Sequence, residues 1–281
     1  MAVNFLAFKG GEGDPRIFSS KFDGNSWTTP SPLVGANSSA GPALAMFNNR
    51  LNMTWKGAEG DDRIFRAIVE GNSISGASPV PGARSSRGPA LALFSDLLLM
   101  VWKGVEGDDR LFFASFDGNN WTVPGPIPNA RSSADPALTL LGGQVFTVWK
   151  GVAGDQRIFF SIFSGVFSQP QPLPGAESSA GPALAGFNNQ LHMTWKGVEG
   201  DDRIFQAIVE GNSIVGGRPI PNARSSRGPA LAGFNNRLNM TWKGVEGDQR
   251  IFFALFDGNN WTGASPIPQA NSSADPALTR G

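Results

Sequence analysis

An all-β propeller with six four-stranded antiparallel blades is the fold class that this sequence predicts. The first observation is a motif of the form Trp-Lys-Gly, Gly-Asp, Arg that returns throughout the 281 residues. The aromatic residue before Lys-Gly recurs at spacings of 47, 47, 47, 46 and 47 residues. Its positions are Phe8, Trp55, Trp102, Trp149, Trp195 and Trp242. A period of about 40 to 50 residues is typical of propeller blades.

The second observation is that each repeat contains four short apolar runs. In one repeat they are "PALAMF" from Pro42, "RLNMTWKG" from Arg50, "DRIFRAIVEG" from Asp62 and "SISGASPVPGA" from Ser73. The triplet "FNN" separates the first two runs and "EGN" the last two, and both are typical of tight hairpin turns. The fourth run carries prolines, which an outer edge strand tolerates because it needs no ladder N–H there. Each repeat is therefore predicted to form one blade.

The third observation is that the two ends of the chain complete one repeat. The chain ends in "SSADPALTRG" and begins with "MAVNFLAFKG", and the internal copy "DPALTLLGGQVFTVWKG" from Asp135 contains both parts. Ten residues separate Thr139 from Trp149, and ten separate Thr279 from Phe8 across the ends. We therefore expect the C-terminal strand to close the first blade, so that residues 1–281 form a single propeller domain. An open solenoid would instead need distinct capping repeats.

A longer period divides the six repeats into two halves. The loops before the inner strands contain "NSSAG", "RSSRG" and "RSSAD", followed by "ESSAG", "RSSRG" and "NSSAD". Repeats therefore match best at an offset of three, which indicates a duplicated three-blade unit. Function can then differ between blade types.

Composition excludes several classes of partner and chemistry. Twenty-three Lys and Arg residues balance twenty-three Asp and Glu residues, so no overall charge attracts nucleic acid or a membrane surface. The absence of cysteine excludes disulfides, thiolate nucleophiles and cysteine-based zinc sites. No run approaches the roughly 20 apolar residues of a membrane span, and the N-terminus lacks the pattern of a signal peptide. We expect a soluble protein, cytoplasmic or released without a conventional signal peptide, of unpredicted oligomeric state.

The recurring hairpin supplies the candidate binding residues. It should lie on the same face of the ring as the Ser-Ser loops, so that Ser85 and Ser86 join the hairpin of the preceding blade. An apolar pyranose face stacks on an indole while charged groups bind the sugar hydroxyls, and six weak sites add through avidity. The predicted carbohydrate-binding residues are Trp55, Lys56, Glu59, Asp61 and Arg63; Trp102, Lys103, Glu106, Asp108 and Arg110; Trp149, Lys150, Asp155 and Arg157; Trp195, Lys196, Glu199, Asp201 and Arg203; Trp242, Lys243, Glu246, Asp248 and Arg250; and Lys9, Glu12, Asp14 and Arg16.

Each part of this cluster also has a structural interpretation. The tryptophans could pack between blades, and the Lys, Asp and Arg side chains could form a salt-bridge network that holds a Gly-rich turn. The Ser-Ser pair could cap backbone groups. Recurrence of the charged residues on exposed loops favours ligand binding, because loops on rigid scaffolds carry function.

The chain resembles a β-propeller lectin. The strand that ends in "FDGNNW" before a Pro- or Gly-containing edge is similar to the blade of the six-bladed fucose-binding lectins of bacteria and fungi, and the repetitiveness is similar to that of tectonin-like lectins. The resemblance implies multivalent glycan binding near blade junctions through Arg, Glu and Trp, with no cofactor. One blade departs from the pattern, because Ala153 replaces the hairpin Glu.

The sequence also bears on functions other than sugar binding. An enzyme is not expected, because almost nothing breaks the repeat: His192 stands where siblings have Asn, and Asp135 and Asp275 lie symmetrically in the ring. "SFDGNNW" from Ser115 is one residue short of a sialidase Asp-box, and the chain has no tyrosine nucleophile. A protein-protein interaction propeller remains the alternative, without the Gly-His and Trp-Asp signatures of WD40 repeats. No metal site is predicted, although calcium at the "EGDD" loops stays open.

Overall fold

A computed structural model describes residues 3–281 as 24 β-strands arranged in six four-stranded antiparallel sheets. The inner strands are β4 (Ala43–Phe47), β8 (Ala90–Phe94), β12 (Ala137–Leu141), β16 (Ala183–Phe187), β20 (Ala230–Phe234) and β24 (Ala277–Arg280). The second strands are β1 (Asn4–Lys9), β5 (Arg50–Lys56), β9 (Leu97–Lys103), β13 (Gln144–Lys150), β17 (Gln190–Lys196) and β21 (Arg237–Lys243). The predicted six-bladed propeller is confirmed.

The outer two strands of each blade complete the sheets. The third strands are β2 (Arg16–Phe22), β6 (Arg63–Glu70), β10 (Arg110–Phe116), β14 (Arg157–Phe163), β18 (Arg203–Glu210) and β22 (Arg250–Phe256). The edge strands are β3 (Ser31–Asn37), β7 (Ser73–Arg84), β11 (Gly125–Arg131), β15 (Gln171–Glu177), β19 (Ser213–Arg224) and β23 (Ser265–Asn271). We number the blades one to six, starting with the blade that contains β1.

Blade one has the order β24-β1-β2-β3, so the C-terminal strand is its innermost strand. The pairing runs in the predicted register, with Leu6 opposite Leu278 and Ala7 opposite Ala277. The closure inferred from the two chain ends is confirmed. Because β24 pairs with the first strand of the chain, the ring has no unpaired inner edge there.

Alternate residues of each strand face opposite neighbouring blades, and the core lies between the blades. Trp55 packs with Ile17 and Leu33 of blade one, whereas Ile64 on the other face of blade two packs with Trp102 of blade three. Both faces of a blade are therefore apolar near the axis. This explains why "MTW" and "RIF" are more hydrophobic than a half-exposed strand requires.

Turn residues adopt the conformations that their types favour. Asn48 and Asn49 both have positive φ, 49° and 57°, as a two-residue type I′ hairpin requires. The edge strands β7 and β19 are 12 residues long, against 7 in the other blades. Blades two and five are thus alike at an offset of three, in agreement with the inferred duplication. None of residues 3–281 belongs to a helix that is long and apolar enough to cross a membrane.

Candidate functional site

The Gly-Asp hairpins and the Ser-Ser loops share one face of the ring, which we call the hairpin face. In blade two, the N–H of Gly57 donates to the carbonyl of Arg63 at 2.9 Å, and the N–H of Asp61 donates to that of Ala58 at 2.9 Å. A Cβ on Gly57 would lie 2.7 Å from Cγ of Asp61, which excludes a side chain there. Gly60 has a φ of +81°, a conformation that favours glycine. The two glycines of the motif therefore shape the turn.

The lysine of the motif is buried and ties the hairpin to a serine loop. Nζ of Lys56 donates to Oγ of Ser39 at 2.7 Å and to the carbonyl of Asp61 at 3.2 Å. The Ser39 hydroxyl in turn donates to the carbonyl of Gly57 at 3.0 Å. The lysine–serine hydrogen bond recurs in all six blades at 2.7–3.1 Å. Five of the six lysines are also less than 9% exposed, so the lysines have a structural role in this arrangement.

The serine that Lys56 contacts is not one of the two that the sequence suggested. Ser39 belongs to the loop that enters blade two itself, whereas Ser85 and Ser86 were expected from the loop that leaves it. Ser85 contacts the hairpin only through its backbone N–H, which donates to the carbonyl of Asp62 at 2.8 Å. Its hydroxyl is buried and donates to the carbonyl of Arg87 at 2.8 Å, so it caps the loop. The capping interpretation fits this first serine.

The tryptophans lie in the core. Trp55 is 3% exposed and Trp102 1%, and the equivalents in blades four to six are between 1% and 3% exposed. Each indole stacks on a phenylalanine of the next strand, as Trp55 does on Phe65 at a centroid distance of 5.7 Å. A sugar ring cannot reach an indole that is covered on both faces. The expected stacking on tryptophan therefore does not fit this burial, and inter-blade packing accounts for these residues.

The arginine and the aspartate of the motif form an exposed, rigid pair. Asp61 accepts hydrogen bonds from Nε of Arg63 at 2.9 Å and from Nη2 at 2.8 Å. The guanidinium lies over the ring of Phe65, with Cζ 5.1 Å from the centroid. The hydrogen bond from Arg63 lowers the pKa of Asp61 to about 2, so the pair is charged at neutral pH. About half of the Arg63 side chain remains exposed.

This arrangement recurs in every blade. The Nη2–Oδ2 distances are 2.7–2.8 Å in the six copies, and the Cζ–centroid distances are 5.1–5.2 Å. The partly buried rings were not among the predicted site residues; they are Phe18, Phe65, Phe112, Phe159, Phe205 and Phe252. The recurring "R-I/L-F" in the sequence could have identified these rings, because the Arg and the Phe are two residues apart on a strand and therefore share a face. From core to surface, five of the blades present a Trp-Phe-Arg stack, and blade one presents Phe8 in place of Trp.

The glutamates of the motif project from the hairpin tips and are exposed in all five blades that have one. A cavity of about 660 Å³ opens between the hairpins of blades one, two and six, and Glu12, Glu59 and Glu246 line it. Gln249 spans one junction here, because its Oε1 accepts from the N–H of Glu12 at 2.9 Å. Carboxylates, hydroxyls and backbone groups thus converge on a groove large enough for a small ligand.

Two aspartates break the repeat at the axis. Asp135 and Asp275 stand two residues before their inner strands, where the other four blades have glycine. Each accepts a hydrogen bond from a backbone N–H, of Gly88 and Gly228 respectively, at 3.2 Å. Burial, together with the carboxylate of Asp275, raises the pKa of Asp135 to about 7. Residues 3–281 contain no group of three or more His, Asp or Glu side chains placed to hold a metal ion.

Comparison with known proteins places the chain by its fold alone. No family model matches the sequence, and no curated protein matches it. Among solved structures, the fucose-specific lectin from Aleuria aurantia superimposes with a TM-score of 0.67 at 13% identity, over 96% of this chain and 92% of that chain. AofleA from Arthrobotrys oligospora gives a TM-score of 0.65 at 12% identity, over 99% and 89%.

A third similar structure is a protein of unknown function from Dyadobacter fermentans, with a TM-score of 0.63 at 12% identity over 87% of this chain and 85% of that one. The Aleuria lectin has also been solved with α-methyl-L-fucoside. The chain therefore shares its six-bladed propeller fold with fucose-specific lectins, as the sequence resemblance suggested.

Proposed function

We propose that this protein is a multivalent carbohydrate-binding protein whose sites lie on the hairpin face, near the blade junctions. The observation that carries the proposal is the sixfold repetition of an exposed Asp–Arg pair that is fixed over a phenylalanine ring. A selective pressure on folding alone does not require a half-exposed guanidinium in every blade. Repetition of one polar group around a rigid ring is what weak, additive binding uses.

The chemistry of the pair suits a sugar hydroxyl. Arg63 commits Nε and one Nη2 hydrogen to Asp61, which leaves further N–H donors of the guanidinium facing solvent. Since the pair is already ordered, little side-chain entropy is lost when a ligand binds. Exposed glutamates such as Glu59 add hydrogen-bond acceptors on the same hairpin. The tryptophans and lysines of the predicted set then support the site from below without touching the sugar.

Each residue of the hairpin motif has a separate role in the proposed site. Lys56 and Gly57 hold the hairpin, Trp55 and Phe65 form the platform, and Arg63 presents the donors. Ala153 replaces the hairpin-tip glutamate in blade four, which keeps only the Asp155–Arg157 pair, so its site should be the weakest of the six. The likeness in fold to fucose-specific lectins supports glycans as the ligand class, whereas the identity of the sugar is left to experiment.

The decisive experiment changes all six arginines, Arg16, Arg63, Arg110, Arg157, Arg203 and Arg250, to alanine. Glycan-array binding and cell agglutination should be lost, because a charged hydrogen bond is worth about 1.5–3 kcal/mol, or roughly tenfold or more for each site. The matched control is Arg84→Ala, Arg131→Ala and Arg224→Ala. These exposed arginines lie opposite Arg63, Arg110 and Arg203 on the edge strands.

Two results would overturn the proposal. A folded six-arginine variant that still agglutinates cells would remove the arginines from the site. Silence of the wild-type protein on the array would favour a protein-binding propeller instead. Circular dichroism and a thermal melt of both variants separate loss of binding from loss of folding.

A further inference from the structure

The axis of the ring opens onto the hairpin face through a cavity of about 260 Å³. It is lined by the second serine of each Ser-Ser loop and by the residue that follows it, and we call it the axial opening. In four loops the residue after this serine is alanine: Ala40, Ala134, Ala180 and Ala274. The loops of blades three and six have Arg87 and Arg227 instead. Because these blades are three apart in a ring of six, the two arginines face the axis from opposite sides.

Both arginines are free to bind a ligand. Arg87 and Arg227 are exposed, and neither side chain donates a hydrogen bond or forms an ion pair within residues 3–281. Both oppose the rise in the pKa of Asp135 that burial and a neighbouring carboxylate cause, so both guanidinium groups lie near the axis. Each has five N–H donors that point in fixed directions.

The fold does not need these two side chains. The loops of blades two and five place Ala40 and Ala180 at the same position and enter their inner strands in the same way. Two like charges that face each other across a cavity repel, which destabilises the folded ring. An anion between them removes this repulsion, so a ligand gives the arginine pair a role that folding does not.

The buried lysines around the axial opening add to its positive charge. In blades two, three and five the lysine has a carboxylate within 4 Å, as Lys103 has Asp109 at 3.4 Å. The other three blades have Pro15, Gln156 and Gln249 at the position of that carboxylate. The lysines without an ion pair among residues 3–281 are Lys9, Lys150 and Lys243. Their hydrogens are taken up by serine hydroxyls and backbone carbonyls, so they supply charge and no further donors.

The two axial aspartates lie deeper than the arginines. Asp135 and Asp275 line both the axial opening and the channel of about 110 Å³ beneath it, whereas neither arginine lines that channel. Each carboxylate is directed to a backbone N–H, of Gly88 and Gly228 respectively. An anion at the outer rim therefore contacts the guanidinium groups, and the carboxylates lie beyond them.

We propose that Arg87 and Arg227 together form one anion-binding site on the axis, which takes a single phosphate group, either inorganic phosphate or the terminal phosphate of a monoester. Guanidinium groups bind phosphate oxygens in pairs, and a tetrahedral dianion presents oxygens to both sides at once. The site uses none of the six Asp–Arg pairs and takes a different class of ligand from them.

The test is titration calorimetry at pH 8 and constant ionic strength with three probes. Inorganic phosphate tests the free ion and methyl phosphate the monoester, and both are dianions at this pH because their second pKa is about 6 to 7. We expect one equivalent to bind per chain. Dimethyl phosphate, a monoanion, should bind about tenfold more weakly or less, since it cannot satisfy two guanidinium groups equally.

Arg87→Ala is a well-matched variant, because it recreates the Ser-Ser-Ala-Gly loop of blades two and five. It should weaken phosphate binding about tenfold or more, and so should Arg227→Ala. Asp135→Asn removes a negative charge beneath the site and should tighten binding. Arg84→Ala, an exposed arginine of edge strand β7 that does not line the axial opening, is the control and should bind phosphate as the wild-type protein does.

The stoichiometry distinguishes a shared site from two separate ones. Two equivalents per chain, falling to one in Arg87→Ala with unchanged affinity, would give each arginine its own ion and overturn the proposal. Absence of binding to the wild-type protein would also overturn it, as would an equal loss in Arg84→Ala. The folded six-arginine variant described above should keep its phosphate site; loss there would move the anion to the Asp–Arg pairs. Thermal melts of all variants confirm folding, and phosphate should raise the melting temperature of the wild-type protein more than that of Arg87→Ala.

Discussion

The hairpin face and the opposite ends of the blade junctions differ in how faithfully they repeat. On the hairpin face, the lysine–serine bond and the Asp–Arg pair recur in all six blades with nearly constant distances. At the opposite ends, equivalent positions hold Arg66, Phe113 and Gln206. Arg66 and Phe113 pack against aromatic rings of the next blade, whereas a cavity of about 390 Å³ lies beside Gln206, between blades five and six. The hairpins must hold one turn geometry, whereas a junction needs only sufficient volume, which different side chains can supply.

This contrast separates two kinds of polar residue. A buried group such as Lys56 is fully engaged within the protein and maintains the shape of the hairpin. An exposed group such as Arg63 repeats as faithfully, although the turn itself is built from backbone bonds and glycine. His192 and Gln206 do not repeat, and they leave an open cavity. Fidelity by itself therefore does not identify a binding residue, and it is the combination of fidelity with exposure that supports our proposal for Arg63.

Loss of the closing strand should have the largest effect. Deletion of residues 275–281 removes β24 and leaves the inner edge of β1 unpaired, so we expect the cooperative thermal transition to be lost or strongly lowered. Deletion of Gly281 alone keeps the strand and is the control. Similar melting temperatures for the two deletions, measured by calorimetry, would contradict a stabilising role of closure.

A single buried lysine should have the next largest effect. In Lys196→Met, Oγ of Ser179 and the carbonyl of Asp201 lose a donor that now lies at 2.9 and 3.0 Å. The free energy of unfolding should fall by about 1–3 kcal/mol in a urea titration. The exposed control Arg224→Ala should change it by less than about 0.5 kcal/mol. A neutral result for Lys196→Met would show that the repeated lysines are not needed for the hairpins.

The axial aspartates should make stability depend on pH. Burial and the neighbouring carboxylate of Asp275 raise the pKa of Asp135 to about 7, against the effect of Arg87 and Arg227. A carboxyl group with a raised pKa in the folded state contributes stability below its unfolded pKa of about 4, and this is lost as the pH rises towards 7. Asp135→Asn should therefore raise the melting temperature at pH 8 and leave it unchanged at pH 4.

The exposed side chain of Asp96 provides the matched control for that experiment, since Asp96→Asn makes the same chemical change at the protein surface. An equal gain at both pH values would mean that Asp135→Asn acts through packing and not through its charge. Thermal melts of both variants at the two pH values distinguish these outcomes.

The smallest effect should come from opening the junction between blades two and three. Arg66→Gln removes a guanidinium from the ring of Phe116 and from the amide of Asn52, which should cost about 0.5–1 kcal/mol. The double variant Asn52→His, Arg66→Gln copies His192 and Gln206 from the junction between blades five and six. It should add a second, shielded imidazole signal to the NMR spectrum. A signal typical of an exposed histidine would show that these two positions do not control the cavity.

Much of the fold could be predicted because the information is local and periodic. Apolar runs, the "FNN" triplets and the 47-residue spacing mark the strands and turns without any knowledge of the packing. The ten-residue match between Thr279 and Phe8 likewise identified the closing strand. The "R-I/L-F" spacing also places Phe65 on the same face of its strand as Arg63, so the contact between the guanidinium and the ring follows from the strand period.

The environment of each side chain was harder to predict. Trp55 lies at the end of a strand beside an exposed hairpin, and only the packing of Phe65 and of blade one covers its indole. The sequence placed Lys56 near Ser86, but in the structure Lys56 contacts Ser39, in the loop that enters its own blade. The substitutions at His192 and Gln206 are visible in the sequence, whereas the cavity they leave is a volume set by two blades at once.

The sequence by itself therefore determined the strands, the six blades, the closure and the identity of the repeated polar residues, because each depends on neighbours along the chain or on an exact period. Only the tertiary structure decided which of those residues face solvent, which serine each lysine binds, and where a junction stays open. These properties depend on contacts between strands that are distant in sequence. Burial of Trp55, exposure of Arg63 and the space beside Gln206 all arise from how one blade packs against the next.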